Sequence, residues 1–179
     1  MAVNGKGVWL GCKYAAIQML KQSPFGGDPG GDCGWIINMC SIMGLVWDVG
    51  VTCYAASKDA VMQMTKAAAL DLAKERIHVN AIAPGFVDTN MLAPIKAKHG
   101  TESATQMLCG YHPWGRMGSA QDIAKMAVFL AGDGASSQGR PLLWMEDIRR
   151  DSSRRMWPVE ECNSILMVLD SIRANPLCK

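Results

Sequence analysis

Two apolar runs with abrupt ends give the chain its frame. Trp35-Ile36-Ile37-Asn38-Met39-Cys40 is short, rich in β-branched residues and bounded by Gly34 and Gly44. That pattern predicts a strand covered on both faces, as in a parallel sheet, ending at Ser41. Ile77-His78-Val79-Asn80-Ala81-Ile82-Ala83 is mainly apolar and stops at Pro84-Gly85, a second strand broken by a turn. Between them, from about Thr52 to Glu75, a long predicted helix carries Ala60, Val61, Met64, Ala67, Ala68 and Leu72 on several faces. Further helices are predicted from about Gly5 to Lys21 and from about Ser119 to Leu130, the last with Gln121 and Asp122 suitably placed in its first turn. Gly26-Gly27-Asp28-Pro29-Gly30-Gly31 reads as a surface loop before the first strand. Thr89 to Tyr111 reads as a loop and helix region, apolar at Met91, Leu92, Ile95 and Met107.

Bulk properties narrow the class without choosing a function. The 179 residues have the length of one domain, and 49% hydrophobic with 19% charged residues suits a packed core. A net charge of +2 gives no case for nucleic-acid binding. No apolar stretch reaches the ~18 residues of a membrane span, and no charged-then-apolar leader is visible. Seven cysteines, an odd number without a Cys-x-x-Cys pair, fit free thiols in a reducing, cytoplasmic compartment. His78, His99 and His112 lack metal-ligand spacing and read as ordinary surface or strand residues, so no metal is expected.

Chemistry enters at Tyr54-Ala55-Ala56-Ser57-Lys58. A spacing of four puts Tyr54 and Lys58 on one helical face. A free phenol holds its proton too tightly to act as a base at neutral pH. An ammonium at roughly 4 to 5 Å, with an effective dielectric of about 20, favours the phenolate by ~3 to 4 kcal/mol. Taken alone the pair is also what any solvated helix surface can show. Ser41, thirteen residues before Tyr54, would stand at the carboxyl end of a strand, where open α/β sheets bind ligands, or serve as a turn former or helix cap. Phe86-Val87-Asp88-Thr89 after Pro84-Gly85 offers a backbone amide and the Thr89 hydroxyl to an amide-bearing ligand. A plain turn, with Thr89 capping the next helix, accounts for it equally well.

Together these residues resemble the short-chain dehydrogenase/reductase family. The resemblance rests on Ser41, the Tyr54-x-x-x-Lys58 pair and Pro84-Gly85-x-x-x-Thr89 after Val79-Asn80-Ala81-Ile82-Ala83. Asn4-Gly5-Lys6-Gly7-Val8-Trp9-Leu10-Gly11 and Pro113-Trp114-Gly115-Arg116-Met117-Gly118 add to it, and it spans about Val3 to Ser136. It implies an α/β, partial Rossmann-like fold, a doubly wound parallel sheet reduced to about two family strands with flanking helices. It implies an oxidoreductase that interconverts a carbonyl compound and a secondary alcohol by hydride transfer, with NAD or NADP as cofactor. Tyr54 would exchange the proton, Ser41 would hydrogen-bond the same oxygen, and Lys58 would favour the Tyr54 phenolate and hold the nicotinamide ribose. Asn4 would anchor a water in a proton relay through Lys58, unless it simply caps a helix. Pro84, Gly85, Val87 and Thr89 would line the nicotinamide. The Gly5 helix and the Tyr54 helix would build a dimer interface, and Thr89 to Tyr111 a substrate lid, although its apolar residues read better as ordinary packing.

Two departures qualify that picture. The family's glycine-rich pyrophosphate turn after its first strand is absent, and with it the acidic residue that selects NAD over NADP. After Ser136 the family's last strand is not recognisable, and residues 137–179 form a divergent second segment, expected to be irregular or partly helical. Two Arg precede residue 137, whereas six follow it, several of them in Arg149-Arg150-Asp151-Ser152-Ser153-Arg154-Arg155. A retained intron, a frameshift, alternative splicing or an incomplete gene model would each give such ends. The sequence therefore supports two functions: an impaired dehydrogenase, or a catalytically inactive fragment that pairs through its apolar helices with a full-length relative.

Overall fold

The computed structural model describes residues 1–27, 30–46 and 48–132, together with the backbone of 143–145. The expected Gly5 helix begins earlier and in another form. Ala2–Gly7 winds as a π-helical turn and continues into α1, Val8–Met19. Gly5 and Gly7 hold a regular α-turn weakly, which is consistent with a wider first turn there. The Gly-rich segment is a surface loop, as read: Gly26, Gly27 and Gly30 have positive φ, and the loop is closed by a bridge between Phe25 and Asp32.

Strand β1, Gly34–Met39, and strand β2, Ile77–Ala83, pair in parallel from Gly34↔Ile77 to Met39↔Ile82. Between them runs α2, Thr52–Leu72, which tightens into a 3₁₀ turn over Ala73–Glu75. Arg76 stops it by turning left-handed (φ 57°), and β2 starts at the next residue.

The two long parallel strands with flanking helices are as expected, and a short third strand that the sequence does not announce joins them, β3, Leu143–Met145. It lies parallel to β2, from Ala81↔Leu143 to Ala83↔Met145, giving the order β1-β2-β3. Parallel pairing supplies those three residues with a ladder that their own short sequence does not announce. The remainder of the 137–179 segment lies outside the described residues.

The sheet is covered on both faces, which a parallel sheet requires. On one face α1 and α2 pack Cys12, Ala16, Val61, Met62 and Ala69 against Ile36, Cys40, Val79, Ala81 and Ala83. On the other, α5, Ala120–Leu130, packs Ile123, Met126, Ala127 and Leu130 against Ile37 and Ile82. Burying one such side chain contributes ~1.5 to 3 kcal/mol, so both layers are needed to hold the strands. A buried polar network threads the first layer: Asn38 Nδ2 donates to Thr65 Oγ1 (2.9 Å), whose own hydroxyl donates to the Val61 carbonyl (2.8 Å). It fixes the register of α2 on β1, because a one-residue slip would leave Asn38 buried without its partner.

α5 starts at a capping box in which Ser119 Oγ accepts from Asp122 N while the Asp122 carboxylate accepts from Ser119 N. The Ser119 backbone and side-chain hydrogen bonds, then Arg116, hold the Asp122 carboxyl below its usual range. Between β2 and α5, a 3₁₀ turn over Asn90–Leu92 leads into α3, Ala93–His99, and α4, Thr101–Gly110.

Among the described residues β1 is an edge strand. Cys40 N–H donates to the Ile82 carbonyl, so alternate residues of β1 face β2, and the peptide groups of Trp35, Ile37 and Met39 point the other way. Among the described residues no strand pairs with that side. No helix among them is long and apolar enough to cross a membrane.

Candidate active site

The carboxyl ends of β1 and β2 open on a cavity of about 460 Å³. Ser41, Tyr54, Lys58, Pro84, Gly85, Val87 and Thr89 all line it. Residues up to 48 positions apart thus meet at the place where open α/β sheets bind ligands.

Ser41 follows β1 by two residues and is the N-cap of the 3₁₀ turn Ile42–Gly44, its Oγ accepting from Met43 N at 3.2 Å. The capping reading and the ligand reading are therefore compatible. A hydroxyl that accepts there keeps its own hydrogen to donate into the cavity.

Tyr54 stands in the first turn of α2 and is 38% exposed, open to the cavity rather than packed away. Its carbonyl accepts from Ser57 Oγ at 2.7 Å. Ser57 in turn accepts from Asn4 Nδ2 at 3.0 Å. Asn4 thus belongs to the π-helical turn and steadies the base of the Tyr54 turn from behind. It does not cap a helix with its side chain, and it does not line the cavity.

Lys58 lies one turn further along. Its ammonium donates to the Met39 carbonyl at 3.0 Å and stands 5.8 Å from the centroid of the Tyr54 ring. Burial lowers its pKa from the usual lysine value, with the neighbouring Cys40 opposing the shift. Cys40 was not singled out from sequence, yet it lines the cavity. Its single S–H lies between the Lys58 carbonyl (3.2 Å) and the Ser41 carbonyl (3.4 Å), joining the two sides of the site. Burial raises its thiol pKa, so it serves here as a buried donor.

The loop after β2 is held from outside. Phe86 O accepts from Gly118 N (2.9 Å), Asp88 N donates to Gly118 O (3.0 Å), and Lys96 reaches the Asp88 carboxylate at 2.6 Å. Thr89 begins the next 3₁₀ turn without a side-chain capping bond, which leaves its hydroxyl for the cavity. The residues present therefore fit the nicotinamide end of a dinucleotide: donors from the chain at Thr89, a cation at Lys58, and a tight Pro84-Gly85 backbone between them.

His112 is the clearest correction to the reading of the histidines. It is 4% exposed, and its Nε2 accepts the Phe86 N–H at 3.2 Å. His78, by contrast, is a strand residue as expected, paired with Asp32 at 2.8 Å and stacked on Trp35. Among the described residues no cluster of three or more metal-type ligands exists. Only neutral His112 can accept from Phe86. Burial, then the Arg116 guanidinium, hold its pKa below the ordinary 6.5. A folded value below the unfolded one makes this anchor whole above pH 6.5, and it is lost as pH falls through the depressed folded value. Thermal melting is expected to drop as pH falls below 6.5, and most of that drop to vanish in His112→Gln, whose carbonyl accepts without titrating. An identical pH profile in the variant would assign the effect to other groups.

The region from Thr89 to Tyr111 divides by role. Leu92, Ile95 and Met107 pack with Leu108 and Met117, as the packing reading had it. Leu92 and Ile95, with Met91, also face the cavity.

Comparison with known proteins agrees with this geometry. A family profile described as Enoyl-(Acyl carrier protein) reductase matches residues 1–138. The 3-oxoacyl-[acyl-carrier-protein] reductase of Thermotoga maritima is 37% identical over 134 residues, covering 75% of this chain and 49% of that protein. Among solved structures, 3-hydroxyacyl-CoA dehydrogenase type-2 from Mycobacterium avium superposes with a TM-score of 0.69 at 28% identity, covering 82% of this chain and 54% of that one. ElxO with NADP bound gives 0.66 at 32% identity, covering 80% and 53%. The chain spans about half the length of the relatives it matches. Since the profile runs through α1, both long strands and α5, and since Ser41, Tyr54 and Lys58 meet at the carboxyl edge of a parallel sheet, the chain belongs to the short-chain dehydrogenase/reductase family of oxidoreductases.

Proposed function

We propose that this cavity is the carbonyl end of an NAD(P)-dependent oxidoreductase that interconverts a ketone and a secondary alcohol, with Tyr54 as the acid/base. The observation that carries the reading is the convergence of Ser41, Tyr54, Lys58 and Thr89 on one cavity at the sheet's carboxyl edge. A nicotinamide, when bound, supplies or accepts the hydride. Tyr54 gives its phenolic proton to the substrate oxygen in reduction and takes it back in oxidation. Ser41 donates to the same oxygen as charge develops on it. Lys58, released from the Met39 carbonyl, offers its ammonium to the ribose hydroxyls and favours the Tyr54 phenolate. Asn4 and Ser57 keep the Tyr54 turn in place.

The same reading includes impairment. Among the described residues no glycine-rich turn follows a strand to receive the pyrophosphate, so the contacts that remain reach the nicotinamide and its ribose only. Calorimetric titration with NADH and NADPH is expected to give a Kd weaker than about 1 mM for both. Micromolar affinity for either would overturn the impairment.

A second reading, a pairing protein, is favoured by exposed apolar side chains on the two neighbouring helices. Tyr14 and Ile17 on α1, Leu20 just after its end, and Leu70 on α2 lie at the surface. We propose that these helices associate with a second copy or with a full-length relative. Light scattering is expected to give a dimer that becomes monomeric in the double variant Ile17→Lys with Leu70→Lys. A wild-type monomer at every concentration would remove this reading.

A further inference from the structure

We infer that the carbonyl compound taken by this site carries an apolar chain with no charge and no further hydroxyls near the reacting carbon. The inference rests on the oxidoreductase reading and goes beyond it to the class of substrate.

Polar side chains line the cavity at Cys40, Ser41, Tyr54, Lys58 and Thr89. Cys40 points its thiol at backbone carbonyls, and the others are the groups assigned above to the reacting oxygen and the nicotinamide. The rest of the described wall is apolar, and among the described residues no carboxylate or guanidinium lines it. This wall is built in two firm pieces. Ile42 and Met43 are buried and packed with Leu45, Val51, Phe86 and Tyr111. Leu92 is buried with Leu108 and Met117, with Ile95 packed beside it. Such a surface has nothing to pair with a buried hydroxyl or carboxylate, and an unpaired polar group on the ligand would be rejected strongly.

Met91 supplies the second observation. It is 77% exposed, joins neither cluster, and still lines the cavity. An unbranched thioether at the mouth gains burial only when something apolar fills the space beneath it, and its flexibility lets it follow ligands of different length. The 3₁₀ turn over Asn90–Leu92 fixes its backbone, anchored by the buried Leu92.

The test uses ligand-observed NMR on the full chain with 2-butanone, 2-hexanone and 2-octanone, against 5-oxogluconate as a charged polyhydroxy ketone. Affinity is expected to rise about threefold to fourfold per added methylene and to exceed that for 5-oxogluconate at every length. Met91→Glu should weaken 2-octanone at least tenfold, whereas Met91→Leu should not; at so exposed a position neither change threatens the fold. A flat length series, an equal or tighter 5-oxogluconate, or a Met91→Glu variant that binds 2-octanone as the wild type does overturns the inference. Turnover separates the two levels, because the role of Tyr54 is read in kcat rather than in ketone binding; it is followed as ketone reduction by the full chain at millimolar NADPH. If Tyr54→Phe lowers that rate while the length series is flat, the substrate class falls and the oxidoreductase reading stands. If the length dependence holds while Tyr54→Phe leaves the rate unchanged, the apolar class stands and the role of Tyr54 falls.

Discussion

Tyr54→Phe is expected to lower carbonyl reduction by at least ~100-fold, with little change in KM, in a chimera that joins residues 1–138 of this chain to the amino-terminal half of the Thermotoga maritima reductase. The chimera removes cofactor binding as the limiting step. Phenylalanine keeps the ring in the mouth of the cavity and deletes only the hydroxyl. What it removes is the proton on the substrate oxygen, needed in the transition state and not in the ground state, so the loss falls on kcat. Ser41 then remains as the only donor to that oxygen, which should preserve a residual rate. Initial rates of reduced-cofactor consumption measure the effect. A variant within about threefold of the parent would take the acid/base role away from Tyr54, since positioned proton transfer contributes at least ~100-fold where it operates.

Gly44→Ala is expected to be the most damaging conservative change at the site. A Cβ there would lie 2.8 Å from the Lys58 carbonyl carbon and oxygen and 2.9 Å from Cys40 Sγ. Those neighbours are backbone and a packed thiol, and neither can swing aside. Relief requires α2 to move away from the Ser41 turn, which stretches the Cys40 Sγ to Lys58 carbonyl bond of 3.2 Å and shifts Lys58 relative to Ser41. Overpacking of this kind costs about 1 to 3 kcal/mol, and rigid neighbours put Gly44 at the upper end. For a chain of this length the melting temperature should fall by roughly 6 to 12 °C. A melting temperature within about 1 °C of wild type would mean that the turn relaxes freely, contrary to the close contact.

Much of this site was legible because its signals are local. The apolar run before Ser41, the long small-residue helix and the Pro84-Gly85 break each declare themselves within a dozen residues, and the structure places β1, α2 and β2 there. Ser57 was legible in principle too, since a serine three residues after Tyr54 can bond back to its carbonyl. The missed parts depend on distant partners. β3 has three residues, below the length at which alternation can be read, and exists through its ladder to Ala81–Ala83. His112 has no neighbours in sequence to mark it as buried; its role follows from Phe86, 26 residues earlier, offering an N–H that the chain must satisfy. Asn4 and Ser57 lie 53 residues apart, and the π-helical turn that brings them together has no compositional signature beyond its glycines.

Because no strand among the described residues pairs with the outer side of β1, Lys58 bears on how that edge meets other chains as well as on the site. An edge strand with free peptide groups is a template for another chain, and proteins commonly blunt such edges with lysine. Here the ammonium of Lys58 already covers the Met39 carbonyl, the last outward-facing group of that edge. Removing the charge at Lys58 would therefore uncover a sticky margin along with altering the chemistry. Loss of function in a Lys58 variant carries a meaning for proton transfer only once the variant is shown to remain unaggregated.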